Sequence, residues 1–357
     1  DWMGRKRLAD RIKDTAPDAI ILMYLGAMFD SHPMITYLPE ALRQRGIKAR
    51  LVTRFENPLS HADPFRQPFV SRIKWKLSKT DDSTPEFGQL LARSDAIISL
   101  CNYHRAVLLD ADPSAADKIE IIPPPCNIRF EQDRGDLRLA GRRNLGASEE
   151  EVLIGYLGYV YANKGFDTLL YSLHELLEGG KLRRLVVLGG AVDLVGKGED
   201  YLGRMQSLSR ELGLEDYVTW TGSFDPNSAR IVELMHAIDF FVLPFDNGVH
   251  LNNSSVSSVM TYGKPLVTTS SRHADLAIGE SGAAILVEPK SVSELATAIG
   301  ELATNKGKRA EMQVAAREFA ATHFSWPACI DATLACLDID GRRLREGADT
   351  HSRAMTG

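Results

Sequence analysis

The segment from Phe241 to Thr269 constrains the fold of this 357-residue chain most, because it reads as strand, polar loop, helix and strand in one run. The β-rich run Phe240 to Leu243 stops at Pro244 and a polar loop follows. Ser254 and Ser255 are then N-cap candidates for a helix that ends at Gly263. The next strand begins with Pro265-Leu-Val-Thr-Thr269. Free N–H groups and the positive dipole end of such a helix favour an anion, and small serines let a phosphate come close. The same pattern also describes an ordinary βαβ crossover whose cap faces water.

Three further segments share this design. Ile154 to Leu170 reads as a buried strand, a loop containing Gly158 and Lys164, and an amphipathic helix, with Lys164 placed to reach a phosphate. Leu185 to Leu188 is a short apolar strand closed by Gly189 and Gly190, and Val218 to Asp225 is another with the polar tip Gly222-Ser-Phe224. In open parallel sheets ligands bind outside the carboxyl ends of the strands, so four polar or glycine-rich strand ends predict one shared site. His250 lies in the loop ahead of the serine-rich helix; it is either a solvated imidazole or a hydrogen-bonding group for the ligand.

The order of these segments resembles the retaining glycosyltransferases of the GT-B fold, family-4 type, which include many bacterial transferases for glycans and glycolipids. The family's G-R-x-x-x-x-K-G loop corresponds to Gly158-Tyr-Val-Tyr-Ala-Asn-Lys-Gly165, and its V-x-F-x-G strand to Val218-Thr-Trp-Thr-Gly222. Its A-D-x-F-V-L-P strand corresponds to Ala237-Ile-Asp-Phe-Phe-Val-Leu-Pro244 and its G-x-P-V-V to Gly263-Lys-Pro-Leu-Val267. Ala284-Ile-Leu-Val-Glu-Pro289 is similar to its G-L-L-V-P-P. The departures are specific. Where the family carries the two glutamates of its Glu-x7-Glu motif, this chain has His250 and Ser258, and Tyr159 replaces the loop arginine that accompanies the lysine.

The N-terminal half is similar to the acceptor domain of that fold. Pro17 to Tyr24 looks like one of its middle strands and Lys48 to Glu56 like the next. Ala92 to Leu100 resembles A-D-x-V-I-x-x-S, and Lys118 to Asn127 resembles K-I-x-V-I-P-N-G-V-D. Nothing before residue 17 resembles the family's opening strand and glycine-rich loop, so this domain is expected to lack its first strands.

The resemblance and the alternation of strands with helices predict an α/β chain of two Rossmann-like domains, each a parallel sheet with helices on both faces. The expected division is 1–135 for the acceptor side, 136–325 for nucleotide-sugar binding, and 326–357 for a C-terminal helix that crosses back, with a tail. The proline run Pro123 to Pro125 and the charged stretch Arg129 to Asp136 mark the boundary, since both resist regular structure. Helices are expected over Asp167 to Leu177, Tyr201 to Leu212, Asn227 to His236, Val292 to Ala303 and from after Trp326 to about Leu337.

Net charge of −5 gives no polybasic signature and predicts no nucleic-acid role. The polar start is not a signal peptide, and the four cysteines lack metal-site spacing, so a cytoplasmic protein with reduced thiols is expected. Phe69 to Lys79 puts Phe69, Ile73 and Leu77 on one helical face and Arg72, Lys74, Lys76 and Lys79 mostly elsewhere. That pattern suits a helix docked on its own domain with a solvated basic face, or one lying on anionic lipid at the inner face of the membrane.

The resemblance implies transfer of a sugar from a nucleotide-diphosphate donor to a glycan, lipid-linked or small-molecule acceptor, with retention of configuration. Lys164, Tyr159 and His250 are the implied catalytic residues. Gly158, Gly189, Gly190, Gly222, Ser223, Phe224, Asn247, Gly248, Asn253, Ser254, Ser255 and Ser258 are implied for donor binding. No cofactor is expected beyond the nucleotide sugar as co-substrate, and no metal. Asp110 and Asp112 have Asp-x-Asp spacing, but in a turn. Loss of both motif glutamates and the loop arginine also suits a non-catalytic relative that binds a nucleotide sugar or a partner transferase. A sugar-nucleotide epimerase shares the architecture but needs the carboxylates that are absent.

Overall fold

The computed structural model describes residues 2–61, 67–132, 135–180, 183–191 and 200–337. Arg134 and its neighbour in the charged stretch, and the expected tail after Leu337, lie outside them. The chain divides into two compact units, Asp1–Pro123 with Cys329–Gly357, and Pro124–Ala328.

The first unit is built on a parallel sheet of β1 (Ala19–Tyr24), β2 (Arg50–Phe55), β3 (Ala96–Ser99) and β4 (Ile119–Ile121), in that spatial order. Side chains alternate between the faces, as the period of two requires. Leu51, Phe55 and Ile97 join one apolar cluster with Ala9 of the helix Gly4–Thr15 and with Leu38, Ala41 and Leu42 of Leu38–Gln44. Val52, Ala96, Ile98 and Ile122 point the other way and pack with Cys329 and Cys336 of the helix Trp326–Leu337. Arg50 Nε donates to the carbonyl of Cys336 over 2.7 Å, pinning the end of that helix to β2. None of the four cysteines is in a disulfide.

β1, in the segment that resembles a middle strand of a domain lacking its first strands, pairs only with β2 among the described residues and leaves Ile21 and Met23 exposed. One expectation changes here. The strand expected over Ala92 to Leu100 is shorter, because Leu90–Arg93 makes a helical turn that buries Leu90 and Leu91 before the chain extends.

In the second unit six parallel strands run in the order β10-β9-β8-β5-β6-β7. They are β5 (Leu153–Leu157), β6 (Arg184–Leu188), β7 (Val218–Trp220), β8 (Phe240–Leu243), β9 (Leu266–Thr269) and β10 (Ala284–Val287). Strands β5, β8 and β9 are buried along their whole length, which explains their uninterrupted apolar sequences. Helices flank the sheet: Asp136–Asn144 packs on Ala229–Ala237, Phe166–Glu178 on Val292–Thr304, and Ser254–Thr261 on Lys306–His323. The helix expected from Asn227 starts at Ala229 because Ser228 caps it, its hydroxyl accepting from Ile231 N–H. Among the described residues no helix is long and apolar enough to cross a membrane.

A buried arginine holds the amino-terminal side of this sheet together. Arg142 donates to the carbonyls of Ser148 (2.9 Å) and Ala237 (2.8 Å) and also to that of Glu151, and its Nη1 lies 3.5 Å from Asp239 Oδ2. One side chain thus ties the loop before β5 to the turn before β8. Replacing Arg142 by Met leaves the carbonyls of Ser148, Ala237 and Glu151 without this donor, while Asp239 keeps Arg138 and Leu153 N–H. Urea denaturation is expected to show a loss of about 2–4 kcal/mol, since breaking a buried charged network by removing one partner is costly.

Candidate functional site

The carboxyl ends of β5, β6 and β7 meet through glycine. Gly158 adopts φ +127°, and its N–H donates to the carbonyl of Leu188 over 2.9 Å. A Cβ on Gly189 would lie 1.8 Å from the carbonyl oxygen of Gly158, and Gly189 forms an isolated bridge with Gly222. Only a residue without a side chain lets these strand ends come so close. Backbone therefore lines the cleft that opens beyond them.

That cleft is a cavity of about 190 Å³. Its walls are Leu157, Gly158 and Tyr159 after β5, Gly189 and Gly190 after β6, Ser223, Phe224 and Pro226 after β7, and Ser254, Ser255 and Ser258 of the helix Ser254–Thr261. Asn127 and Ile128, from the segment that leads into this unit, complete it. Nine residues expected at the donor site thus share one cavity, although they come from four separated stretches of sequence.

The serine-rich helix aims its amino end at this cavity, with a different cap from the expected one. Asn253, in extended conformation, is the N-cap residue, so Ser254 and Ser255 are the first two helical residues. The Asn253 carbonyl accepts from Val256 N–H (2.9 Å) and Ser257 N–H (3.1 Å), while its side-chain Oδ1 accepts from His250 N–H over 2.7 Å. The amide of Asn253 is thus used to fold the loop rather than to cap the helix. The N–H groups of Ser254 and Ser255 precede the first intrahelical donors and, with the helix dipole, make the cavity wall favourable for an anion.

Ser258 is fully buried. Its hydroxyl lies 2.9 Å from the carbonyl of Ser254 and 3.2 Å from Asn127 Oδ1, and the Cys126 thiol donates to it over 3.6 Å. Tyr159 is exposed at the cavity edge, and its carbonyl accepts from the Tyr156 hydroxyl.

Other expected site residues stand outside the cavity walls. Lys164 packs among rings, with Nζ 4.7 Å from the centroid of Phe245 and 5.1 Å from that of Tyr161. Burial pushes its ammonium down to about 8, because desolvation disfavours the charged form. His250 is buried, its Nδ1 3.8 Å from Asp275 Oδ2. Asn247 and Gly248 form the turn after β8: Gly248 N–H donates to Phe245 carbonyl, and the Asn247 carbonyl accepts from Ser271 hydroxyl. Gly222 contributes its bridge to Gly189 instead of a wall.

Sequence reasoning missed Asp275. Its carboxylate accepts from Leu251 N–H over 2.8 Å, and its own N–H donates to the Val249 carbonyl over 3.0 Å. It clamps the loop that carries His250, from a segment beyond β9 that offers no periodic signal. Asn127, by contrast, was at the end of a segment already matched by motif.

The profile of the family described as "Glycosyl transferases group 1" matches residues 151–305. The D-inositol 3-phosphate glycosyltransferase of Stackebrandtia nassauensis is 27% identical over 251 residues, 69% of this chain and 54% of that protein. A GDP-mannose-dependent alpha-(1-6)-phosphatidylinositol monomannoside mannosyltransferase of Mycobacterium tuberculosis is 27% identical over 243 residues, 65% of this chain and 59% of that protein. The chain therefore spans little more than half the length of these relatives. Among solved structures, a glycosyltransferase from Rickettsia africae superposes with a TM-score of 0.67 at 16% identity, covering 94% of this chain and 80% of the other. Anabaena Alr3699/HepE in complex with UDP and glucose gives 0.63 at 18% identity, covering 92% and 81%. The chain has the two-domain GT-B fold of these solved structures, and the group 1 match falls within its second unit.

Asp275→Ala leaves the Leu251 amide without its acceptor in a buried loop. Hydrogen exchange at Leu251 is expected to quicken by the equivalent of about 1–3 kcal/mol, with core strands unaffected. Unchanged exchange at Leu251 would show that the loop does not depend on this carboxylate.

Proposed function

We propose that the chain transfers a hexosyl group from a nucleotide-diphosphate sugar to a hydroxyl acceptor with retention of configuration and without a metal. The observation that carries this reading is the cavity at the ends of β5, β6 and β7, bounded by the amino end of the helix Ser254–Thr261, within the matched domain. Backbone N–H groups and a helix dipole complement a diphosphate, whose charge grows as the glycosidic bond to it breaks. The glycines allow a nucleotide close to the backbone, and Phe224 supplies an apolar surface. UDP and glucose bound to the structurally similar HepE protein support a nucleotide-sugar donor. Names of the relatives support an acceptor that carries a phosphate or a lipid.

Lys164 is the cation assigned to the leaving diphosphate. Its position among rings lets an ammonium that is poorly solvated in the free protein gain more from a phosphate than an exposed lysine does. The acidic motif is absent, so the ribose is held by other groups. Ser258 is too short and too bound to its own helix to replace a glutamate, and Asn127 beside it supplies a side-chain amide to the same cavity.

The helix Phe69–Ser78 supports peripheral contact with anionic lipid. Phe69 (72% exposed), Val70, Ile73 and Leu77 (81% exposed) are open, while Trp75 is buried and holds the helix to its unit. Arg72, Lys74, Lys76 and Lys79 complement an anionic bilayer surface. Such contact at the inner face of a membrane suits a lipid-linked acceptor. Sedimentation with vesicles containing phosphatidylglycerol is expected to carry the protein down and to fail for Leu77→Asp; retention of Leu77→Asp would remove this assignment.

Calorimetric titration of UDP, GDP and their sugars tests the donor assignment. One base family is expected to bind, and Lys164→Ala to weaken it roughly 10–100-fold, the scale of a charge-assisted hydrogen bond. Because only the protonated amine attracts phosphate, affinity is expected to be flat below pH 8 and to fall as pH rises through about 8. Lys164→Arg abolishes that fall. Absence of binding by folded protein would favour a non-catalytic relative over a transferase.

A further inference from the structure

The segment from Cys126 to Glu131 has no regular secondary structure, yet hydrogen bonds fix it on both sides of Asn127. Cys126 N–H donates to the Phe324 carbonyl over 3.2 Å, and the Cys126 carbonyl accepts from Trp326 Nε1 over 3.0 Å. Arg129 N–H donates to the Pro226 carbonyl over 2.9 Å, and the Arg129 carbonyl accepts from the Tyr262 hydroxyl. Cys126 and Ile128 are buried, while Asn127 between them is exposed and stands in the wall of the cavity beyond β5, β6 and β7. A residue whose backbone is held in this way offers its amide to a ligand without first ordering a loop.

Ser258 sets the orientation of that amide. Its hydroxyl bridges the Ser254 carbonyl at 2.9 Å and Asn127 Oδ1 at 3.2 Å. No group among the described residues accepts from Asn127 Nδ2, so the amide presents two N–H donors and a remaining lone pair of Oδ1. Phosphate oxygens without protons only accept, and the N–H groups at the amino end of the helix Ser254–Thr261 meet that need. Hydroxyls both donate and accept, and an amide meets that need. The two kinds of group also stand at a telling separation. Ser258 follows Ser254 by one helical turn, roughly 6 Å along the axis, and Asn127 lies beside Ser258. In a nucleotide the vicinal hydroxyls of the ribose stand a comparable distance from the phosphate on its O5′.

We propose that Asn127 holds the ribose hydroxyls of the nucleotide donor, with Ser258 as the positioning residue behind it. The assignment rests on the donor reading given above and adds to it the residue that tells a ribose from a sugar lacking those hydroxyls. Because an uncharged amide makes ordinary hydrogen bonds, the discrimination it supplies is modest, about three- to tenfold.

Calorimetry on the whole chain, comparing UDP and GDP with their 2′,3′-dideoxy counterparts, tests the assignment. Wild type is expected to bind the ribonucleotide about three- to tenfold more tightly than its dideoxy form. Asn127→Ala is expected to lose that preference by weakening the ribonucleotide alone, with a thermal midpoint within a few degrees of wild type because the side chain is exposed. Lys164→Ala is expected to weaken both forms alike and keep the ratio. Asn127→Asp, whose carboxylate accepts from both hydroxyls, is expected to keep or widen it. A role confined to shaping the cavity would weaken both forms equally in Asn127→Ala. A ratio near one in wild type, a ratio that Asn127→Ala leaves unchanged, or one that Asn127→Asp fails to keep overturns the assignment while the donor reading stands. Absence of binding of either ribonucleotide to folded protein overturns the donor reading itself, and the assignment with it.

Discussion

Burial of a parallel sheet on both faces governs the second unit. With β5, β8 and β9 covered along their length, no polar group can sit on the sheet without an internal partner, and chemistry is driven to the strand ends. At the carboxyl ends, glycines bring three strands close and turn backbone toward a cavity. At the amino ends, carbonyls at the end of the helix Ala229–Ala237 gather cations: Arg138, Arg142 and Lys264 all donate to it or to the turn that follows. One architectural constraint thus produces two polar regions of different character.

The electrostatics at the carboxyl end follow from desolvation. Lys164 is held between aromatic rings, where its charge is poorly solvated and its acidity raised. The amino end of the Ser254–Thr261 helix contributes partial charges that cannot be titrated away. A fixed dipole and a titratable ammonium respond differently to pH, and separating their contributions distinguishes preorganised backbone from side-chain charge.

His250 and Ser258 are both tied into the local structure. Ser258 returns its hydroxyl to its own helix and to Asn127, while His250 is drawn toward Asp275, whose carboxylate also holds the Leu251 amide. The loop is therefore built around a carboxylate supplied from beyond β9.

Most strands and helices were legible in the sequence because each is fixed by local pattern: apolar runs for buried strands, helical periodicity, and glycine or proline at the ends. Nine of the thirteen residues that line the cavity at the carboxyl ends were named from strand-end punctuation, the serine-rich helix start and the motif correspondence. What the sequence could not decide was register and approach in three dimensions. That Ala19–Tyr24 pairs with β2 alone among the described residues depends on tertiary pairing; that the Asn253 side chain folds a loop instead of capping its own helix depends on the nearby His250 amide. Asp275 reaches the loop of His250 from a segment beyond β9, and no spacing reports it. Local composition determined the elements and the chemistry available at their ends; only tertiary packing, by choosing which ends meet and which charges lose their water, decided where that chemistry is used.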